Sequence, residues 1–410
     1  MKQIIRGILT LVILVGLVPS KAQNHPTCDG SRYQQSVFEK VKVTRNVKFG
    51  EATTIAGVTK ELFLDVYEPE GDEVTNRPVV VLAFGGSFVS GSRTDLALAC
   101  QTFAQKGYVT VTIDYRLYDL PLFPFPTTEE MVDVAVKAII DMKSALAYLE
   151  ADGKNANTYG IDPEWFFVGG ISAGSITASH IAYLDSEDAL DSLLQVTIDN
   201  NAPIAGVTNK DKVPTIRGVL NYSGALQDAS MIDAGEPPLL SYHDDGDDVV
   251  PYKGQDISFL GVPLIFVEGT FVMDSVAKVV GVRSELNTIE NSTGHVSYFS
   301  QPAQVLVVLE ESTLFMHSIV CTNEKVSINE LELRKLAVGP NPFTRFLNIH
   351  SPISTSSELV IYDAMGRVVK NVQAVDIHKG ALDLGELSSG MYQLEVNSVN
   401  TKYTTRVIKK

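Results

Sequence analysis

The chemistry-bearing residues come first. Residues 167–175 read Phe-Val-Gly-Gly-Ile-Ser-Ala-Gly-Ser, so Ser172 lies between Gly170 and Gly174, after an apolar run and before the helix-like SITASHIAYL. A strand–turn–helix of this kind can present a serine hydroxyl in the open, provided its neighbours are small. A hydroxyl attacks a carbonyl only when a base takes its proton. Of the seven histidines, His25 is close to the N-terminus, His350 and His378 lie in the C-terminal 75 residues, and His180 and His317 fall within helical patterns. His243 ends a strand-like run, while His295 follows Ser-Thr-Gly in a loop beyond the last expected strand, as a general base reaching Ser172 requires. An acid is also needed to orient such a base, and residues 244–248, Asp-Asp-Gly-Asp-Asp, lie between the two with several candidates. Asp247 is preferred, with Asp245 and Asp248 as rivals. An oxygen-rich turn for calcium is the competing use of this stretch. Backbone amides after the apolar run PVVVLAF, in Phe84-Gly85-Gly86-Ser87-Phe88, are placed to face a developing oxyanion. Gly86 or Ser87 together with Ala173 are the expected donors. A phosphate loop would need a Gly-Lys-Ser/Thr ending that is absent here.

These residues require a scaffold of strands and helices. Strand-like runs recur at 62–69, 78–84, 109–115, 164–171, 216–222, 238–244 and 263–269, with helical spacing between them. Within 131–150, Val132, Ala135, Val136, Ile139, Met142, Leu146 and Leu149 share one helical face. Several strands are apolar throughout, as in a parallel sheet covered on both sides. An α/β fold with a mostly parallel, doubly wound sheet follows. Its chemistry is expected at the carboxyl ends of the strands.

The chain of 410 residues carries 33 Lys+Arg against 49 Asp+Glu, a net charge of −16. That balance argues against a nucleic-acid partner and against docking on anionic lipid. At 45% hydrophobic and 20% charged residues, the chain has the make-up of a globular protein. Lys2 and Arg6, an apolar run over 8–18 and Ser20-Lys21-Ala22 read as an export signal cleaved after Ala22. Its removal takes three basic residues and leaves −19. No later segment has 18 consecutive apolar residues, so no stable membrane span is expected in the mature protein. Export permits one disulfide among Cys28, Cys100 and Cys321. Cys100 sits in an amphipathic pattern as a small buried residue, which favours Cys28–Cys321. From residue 336 onward, short alternating runs with Leu359, Ile361, Leu394 and Val396 at strand spacing indicate a small, Ig-like β-sandwich. The expected division is signal 1–22, catalytic domain 23–323, linker 324–335 and C-terminal domain 336–410.

Two resemblances sharpen this reading. Pro340-Asn341-Pro342, IYDAMGR at 361–367, LSSGMY at 387–392 and the ending Ile408-Lys409-Lys410 resemble the C-terminal sorting domain of type IX secretion. That resemblance implies passage across an outer membrane, recognition of residues 336–410 by the secretion machinery, and attachment at the surface or release. Gly85-Gly86, Asp114-Tyr115-Arg116-Leu117, Ile161-Asp162-Pro163, Gly170-x-Ser172-x-Gly174, His243-x-x-x-Asp247-x-x-Val250-Pro251 and His295 resemble the carboxylesterase and hormone-sensitive-lipase-like α/β-hydrolases. The spacing in the fifth of these picks Asp247. Two positions depart from the pattern: Phe84 stands where a histidine usually precedes the glycines, and Ile171 where an acidic residue often precedes the serine. The resemblance implies ester hydrolysis through an acyl-serine, with no cofactor and no metal. Phe88 and the stiff apolar stretch 120–126, with Phe123 and Phe125, are the expected pocket wall for short or medium apolar esters. A serine peptidase of prolyl-oligopeptidase type and a non-catalytic surface binding protein on the same scaffold are the rival functions.

Overall fold

The computed structural model describes residues 25–201, 213–259, 262–321, 334–335, 338–349, 358–363, 367–373, 381–398 and 401–410. The expected export signal and most of the expected linker lie outside the described residues. The chain divides into two compact units, residues 1–322 and 323–410.

In the first unit the chain runs β1 (Val41–Thr53), β2 (Thr59–Pro69), β3 (Arg77–Ala83), α1 (Ala97–Ala104), β4 (Val109–Ile113), α2 (Thr128–Lys154), β5 (Ile161–Ile171) and α3 (Ala173–Tyr183). It continues through α4 (Ser192–Asn201), β6 (Ile216–Tyr222), β7 (Ala225–Leu226), β8 (Leu239–Asp244), β9 (Gly254–Phe259), β10 (Val262–Gly269), α5 (Thr270–Val280), β11 (Ser284–Ile289) and α6 (Pro302–Val320). Eight strands form one sheet in the order β1-β2-β4-β3-β5-β6-β8-β11. β1–β2 and β2–β4 pair antiparallel, and every later neighbour is parallel. The central strands show why the sequence runs apolar there: all seven residues of β3 and all five of β4 are buried. Helix α2 opens on a capping box, in which the Thr127 hydroxyl accepts from the Glu130 amide and the Glu130 carboxylate accepts from the Thr127 amide. Its inner stripe, Val132, Val136, Ile139, Met142, Leu146 and Leu149, is buried in the core.

One assignment needs correction. The apolar run 263–269 is not a strand of the main sheet. As β10 it pairs antiparallel with β9 and β7 in a separate three-stranded sheet. The main sheet's last strand is β11, SELNTI, which is half-exposed and too polar to read as a core strand. The apolar character of β10 has another cause, because Leu264, Ile265 and Val267 line a cavity.

Cys28 and Cys321 form a disulfide, while Cys100 is buried and free. The bond ties the segment before β1 to the end of α6, where the His25 amide also donates to the Val320 carbonyl.

The second unit holds β12 (Arg334–Lys335), β13 (Val338–Gly339), β14 (Phe346–Ile349), β15 (Glu358–Tyr362), β16 (Val368–Gln373), β17 (Leu382–Asp383), β18 (Gly390–Ser398) and β19 (Thr401–Lys409). A five-stranded sheet, β12-β19-β18-β15-β16, and a three-stranded one, β13-β14-β17, share a core. In it Leu359 pairs with Val396 and Ile361 with Leu394, all four fully buried. Lys409 is buried too, and its ammonium donates to the carbonyls of Leu384, Gly385 and Leu387. A buried cation is tolerated only when its donors are all used. Lys409→Met keeps the side chain's bulk but strands three carbonyls, and is expected to destabilise this unit by about 1–3 kcal/mol. Hydrogen exchange of the β18 and β19 amides in the full chain measures this; unchanged protection would mean the carbonyl cage contributes nothing.

Candidate active site

Strand β5 ends at Ile171 and α3 begins at Ala173, so Ser172 occupies the turn between them, at φ +54° and ψ −119°. A serine there is strained by about 1–3 kcal/mol and persists only where its surroundings enforce it. They do so through close approach. A Cβ on Gly174 would lie 2.1 Å from the Ala83 carbonyl oxygen, and one on Gly170 2.5 Å from the same oxygen. The end of β3 therefore presses directly on the turn, and only glycine fits on either side of Ser172. From below, the Ser172 amide donates to the Tyr222 carbonyl at 2.8 Å, which locks the turn onto β6.

The Ser172 hydroxyl lies 2.8 Å from His295 Nε2, and His295 Nδ1 lies 2.7 Å from Asp247 Oδ2. An ionised carboxylate only accepts, so Nδ1 carries the proton and Nε2 is free to accept from the serine. Asp247 also takes the amides of Val249 and Val250 on Oδ1. Burial alone would raise the Asp247 carboxyl. Hydrogen bonds from His243 and His295, the charge at His295 and the Val249 amide outweigh burial and hold it down at about 2.

The acidic run divides its labour. Asp244 is buried and accepts from the Ser297 amide and from the hydroxyls of Ser292 and Ser297. Asp245 accepts from the amides of Asn291 and Ser292. Both thus grip the loop that carries His295. Asp248 is exposed and does not contact His295 among the described bonds. His243, passed over in the sequence, is fully buried. Its Nε2 donates to the Val250 carbonyl at 2.9 Å and faces Asp247 Oδ2 at 3.3 Å, while Nδ1 accepts from the Thr270 hydroxyl. Its four-residue offset from Asp247 was the available signal.

The loop expected to face an oxyanion follows β3. Gly86, Ser87 and Phe88 have φ of +124°, +54° and +60°, a left-handed run that turns successive amides towards one side. The amides of these three residues donate to no backbone carbonyl among the described residues. Ala173, first residue of α3, has no acceptor within its helix and sits at the helix's positive end. Phe84, in place of the usual histidine, stacks on Tyr115 with ring centroids 4.2 Å apart. The Tyr115 hydroxyl donates to the Phe84 carbonyl at 2.8 Å. The neighbouring Arg116 is buried and donates to Asp141 on α2, to the Thr53 carbonyl and to the Lys137 carbonyl. The Asp-Tyr-Arg-Leu stretch is therefore the brace behind this loop.

A narrow cleft of about 50 Å³ opens on Ser172, Ala173 and Ser87, walled by Phe88, Met131, Ile176, Ile257 and Leu264. Those five walls are shared with an apolar cavity of about 90 Å³ lined by residues of α2, α3 and β10. Of the expected wall residues, Phe88 is in place. Phe123 and Phe125 are not among the lining residues and lie on the surface, Phe123 at 86% exposure. Their place is taken by the β9–β10 hairpin, through Ile257 of β9 and Leu264 of β10, the second from the run that the sequence suggests as a sheet strand. His180, on α3, is buried with Nδ1 donating to the Ile176 carbonyl and Nε2 accepting from the Gln227 amide. Burial pushes its pKa down, so it stays neutral as a packing residue.

The fold is the α/β-hydrolase fold, with an appended β domain. More particularly, residues 64–227 match the BD-FAE family, and residues 337–410 match the secretion system C-terminal sorting domain. The sorting domain indicates type IX secretion, to the cell surface or the extracellular space. The chain is similar to fumonisin B1 esterase of Sphingopyxis macrogoltabida, at 28% identity over 134 residues, 32% of this chain and 24% of that one. It is also similar to a probable isoprenylcysteine alpha-carbonyl methylesterase of Oryza sativa subsp. japonica, at 31% over 145 residues, 35% and 28% of the two chains. The chain thus spans about a quarter of the length of these curated relatives. Among solved structures, the propionate-bound esterase Est2 of Thermogutta terrifontis aligns at a TM-score of 0.48 and 19% identity, covering 70% of this chain and 97% of that one.

Two outcomes follow from the geometry. Tyr115→Phe removes the brace on Phe84 and is expected to lower kcat for an ester about tenfold at nearly constant KM, the signature of a loop that matters in the transition state; a change in KM alone would contradict it. Asp247 has a depressed pKa, so the stability it contributes is complete above about pH 4 and is lost as pH falls towards 2. Urea midpoints measured between pH 5 and 2.5 should fall less steeply for Asp247→Asn than for the parent chain.

Proposed function

We propose that the chain is an exported serine carboxylesterase, working through an acyl-enzyme on short or medium apolar esters. The observation that carries this reading is the unbroken hydrogen-bond chain from Ser172 through His295 to Asp247. Ser172 attacks the ester carbonyl as His295 Nε2 takes its proton, and Asp247 holds the imidazole in the tautomer that makes this possible. The tetrahedral oxyanion lies against the amides of Ser87 and Ala173, with Gly86 shaping the loop. His295 then protonates the departing alcohol, leaving the acyl group on Ser172. Water then gives a proton to His295 as its oxygen attacks the acyl carbonyl, and His295 returns that proton to the Ser172 oxygen as the bond to the acyl group breaks and the acid departs. The apolar cleft suits the acyl portion, because transfer of each methylene from water is worth about 0.8 kcal/mol. The esterase names of the curated relatives point the same way.

The purified chain, assayed on p-nitrophenyl acetate and butyrate, tests the reading. Ser172→Ala should lower kcat on the order of 10⁶-fold, and unchanged turnover would exclude the acyl-serine. Asp247→Asn should lower it about 10⁴-fold with the geometry retained, since the wrong imidazole tautomer then faces the serine. Cleavage of peptides but not esters would favour the peptidase.

A further inference from the structure

One buried ring beside the triad takes no part in the proton transfers described above. His243 lies at the end of β8 and is fully buried, where an apolar side chain would pack as well. Buried polar groups in folded proteins are hydrogen-bonded, and both nitrogens of this ring are used. The Val250 carbonyl can only accept, so the proton is on Nε2, 2.9 Å from that oxygen. The same Nε2 lies 3.3 Å from Asp247 Oδ2, so its N–H is shared between carbonyl and carboxylate. Nδ1 is left to accept from the Thr270 hydroxyl at 2.9 Å. The Tyr252 ring approaches the imidazole edge-on, with centroids 5.6 Å apart.

The turn that carries the acid is wound around this ring. The amides of Val249 and Val250 donate to Asp247 Oδ1, and the Val250 carbonyl accepts from His243. Oδ1 and the turn are therefore fixed to each other, and His243 fixes both to the end of β8. Asp247 Oδ2 is left between two imidazoles, His243 at 3.3 Å and His295 at 2.7 Å. The carboxylate cannot rotate without losing a donor on either oxygen. Thr270, first residue of α5, reaches the ring through a close approach of two segments. A Cβ on the preceding Gly269 would lie 1.8 Å from the Pro251 carbonyl oxygen. The amides of Gly269 and Phe271 donate to the carbonyls of Lys253 and Tyr252, each at 3.0 Å, and Thr270 is fully buried.

We propose that His243 is a positioning residue that holds Asp247 Oδ2 towards His295 Nδ1, and that Thr270 sets the His243 tautomer in which Nε2 is the donor. This role rests on the acyl-enzyme reading above. With the proton on Nδ1 instead, the Nε2 lone pair would face a carbonyl and a carboxylate, and the turn would move away from His295. A misplacement of about 1 Å in a catalytic site costs on the order of 10²-fold in rate.

The test uses p-nitrophenyl butyrate and the full chain. His243→Phe keeps a planar ring without a donor, and should lower kcat about 10²-fold with KM held within about twofold. His243→Gln carries an amide nitrogen to the place of Nε2, and should recover kcat to within about fivefold of the parent chain. Thr270→Val should lower kcat about fivefold, the worth of one hydrogen bond, while residue 243 is His. It should add nothing in His243→Gln, because an amide has no tautomer to set. The low-field proton resonance of the His295 Nδ1–H bonded to Asp247 should persist in His243→Gln and vanish in His243→Phe. Unchanged kcat in His243→Phe, or equal losses in the Phe and Gln variants, overturns the positioning role. A Thr270→Val loss of the same size in both backgrounds overturns the part given to Thr270. Where His243→Phe does not fold, His243→Gln and the two Thr270→Val chains decide by the same criteria. Unchanged turnover in Ser172→Ala sinks the acyl-enzyme reading and this inference with it. Loss in Ser172→Ala beside an unaffected His243→Phe overturns this inference alone.

Discussion

The close passage of β3 against the turn at Ser172 governs the rest of the site. Strands β3 and β5 pair parallel from Val79–Phe166 to Ala83–Gly170, so the last carbonyl of β3 arrives beside the two glycines that flank the serine. Were either glycine to carry a side chain, the strands would have to part, and the serine would lose the backbone geometry that projects its hydroxyl. The same register launches the loop at residues 84–88 from β3 next to the turn launched from β5. A Cβ on Gly85 would already sit 3.3 Å from that of Ser172. Ser172 and the loop amides after β3 are thus neighbours because two adjacent strands end at the same level. No flexible segment has to bring them together.

The second half of the site is assembled by charge. His295 sits on a loop after the edge strand β11, where packing alone offers little restraint. Asp244 and Asp245, at the end of the neighbouring β8, accept from amides and hydroxyls of that loop. Charge-assisted hydrogen bonds of this sort are about twice as strong as neutral ones. Two carboxylates clamp the loop, leaving Asp247 for the imidazole. An acidic cluster that would repel itself on an open surface is held here by the donors of one short segment and by His243 beneath it.

Legibility in the sequence followed the locality of each constraint. The elbow is written in five consecutive residues, and Asp247 in a short spacing from His243 to Pro251, so both could be read along the chain. Core strands were visible because burial on both faces makes them apolar throughout. β11 escaped because an edge strand keeps only half its surface covered, and SELNTI has no apolar period. The pocket wall was misplaced for a related reason. Apolar residues signal burial but not the surface against which they are buried, so the β10 stretch passed for a sheet strand and the exposed Phe123 for a pocket residue.

The disulfide supplies a constraint of a different range. Cys28 and Cys321 are 293 positions apart, and their bond closes a loop around nearly all of the first unit. In the chain-entropy account, such a closure removes about 5–6 kcal/mol of freedom from the unfolded chain at 25 °C. That figure is comparable to the whole stability of a small domain. It becomes available only in an oxidising compartment, the kind of environment to which the sorting domain directs the chain. The strain at Ser172 draws on the folded state's stability. A cross-link made after export offsets it without adding any contact near the cleft, so the turn can stay strained while the scaffold around it is held at its two ends.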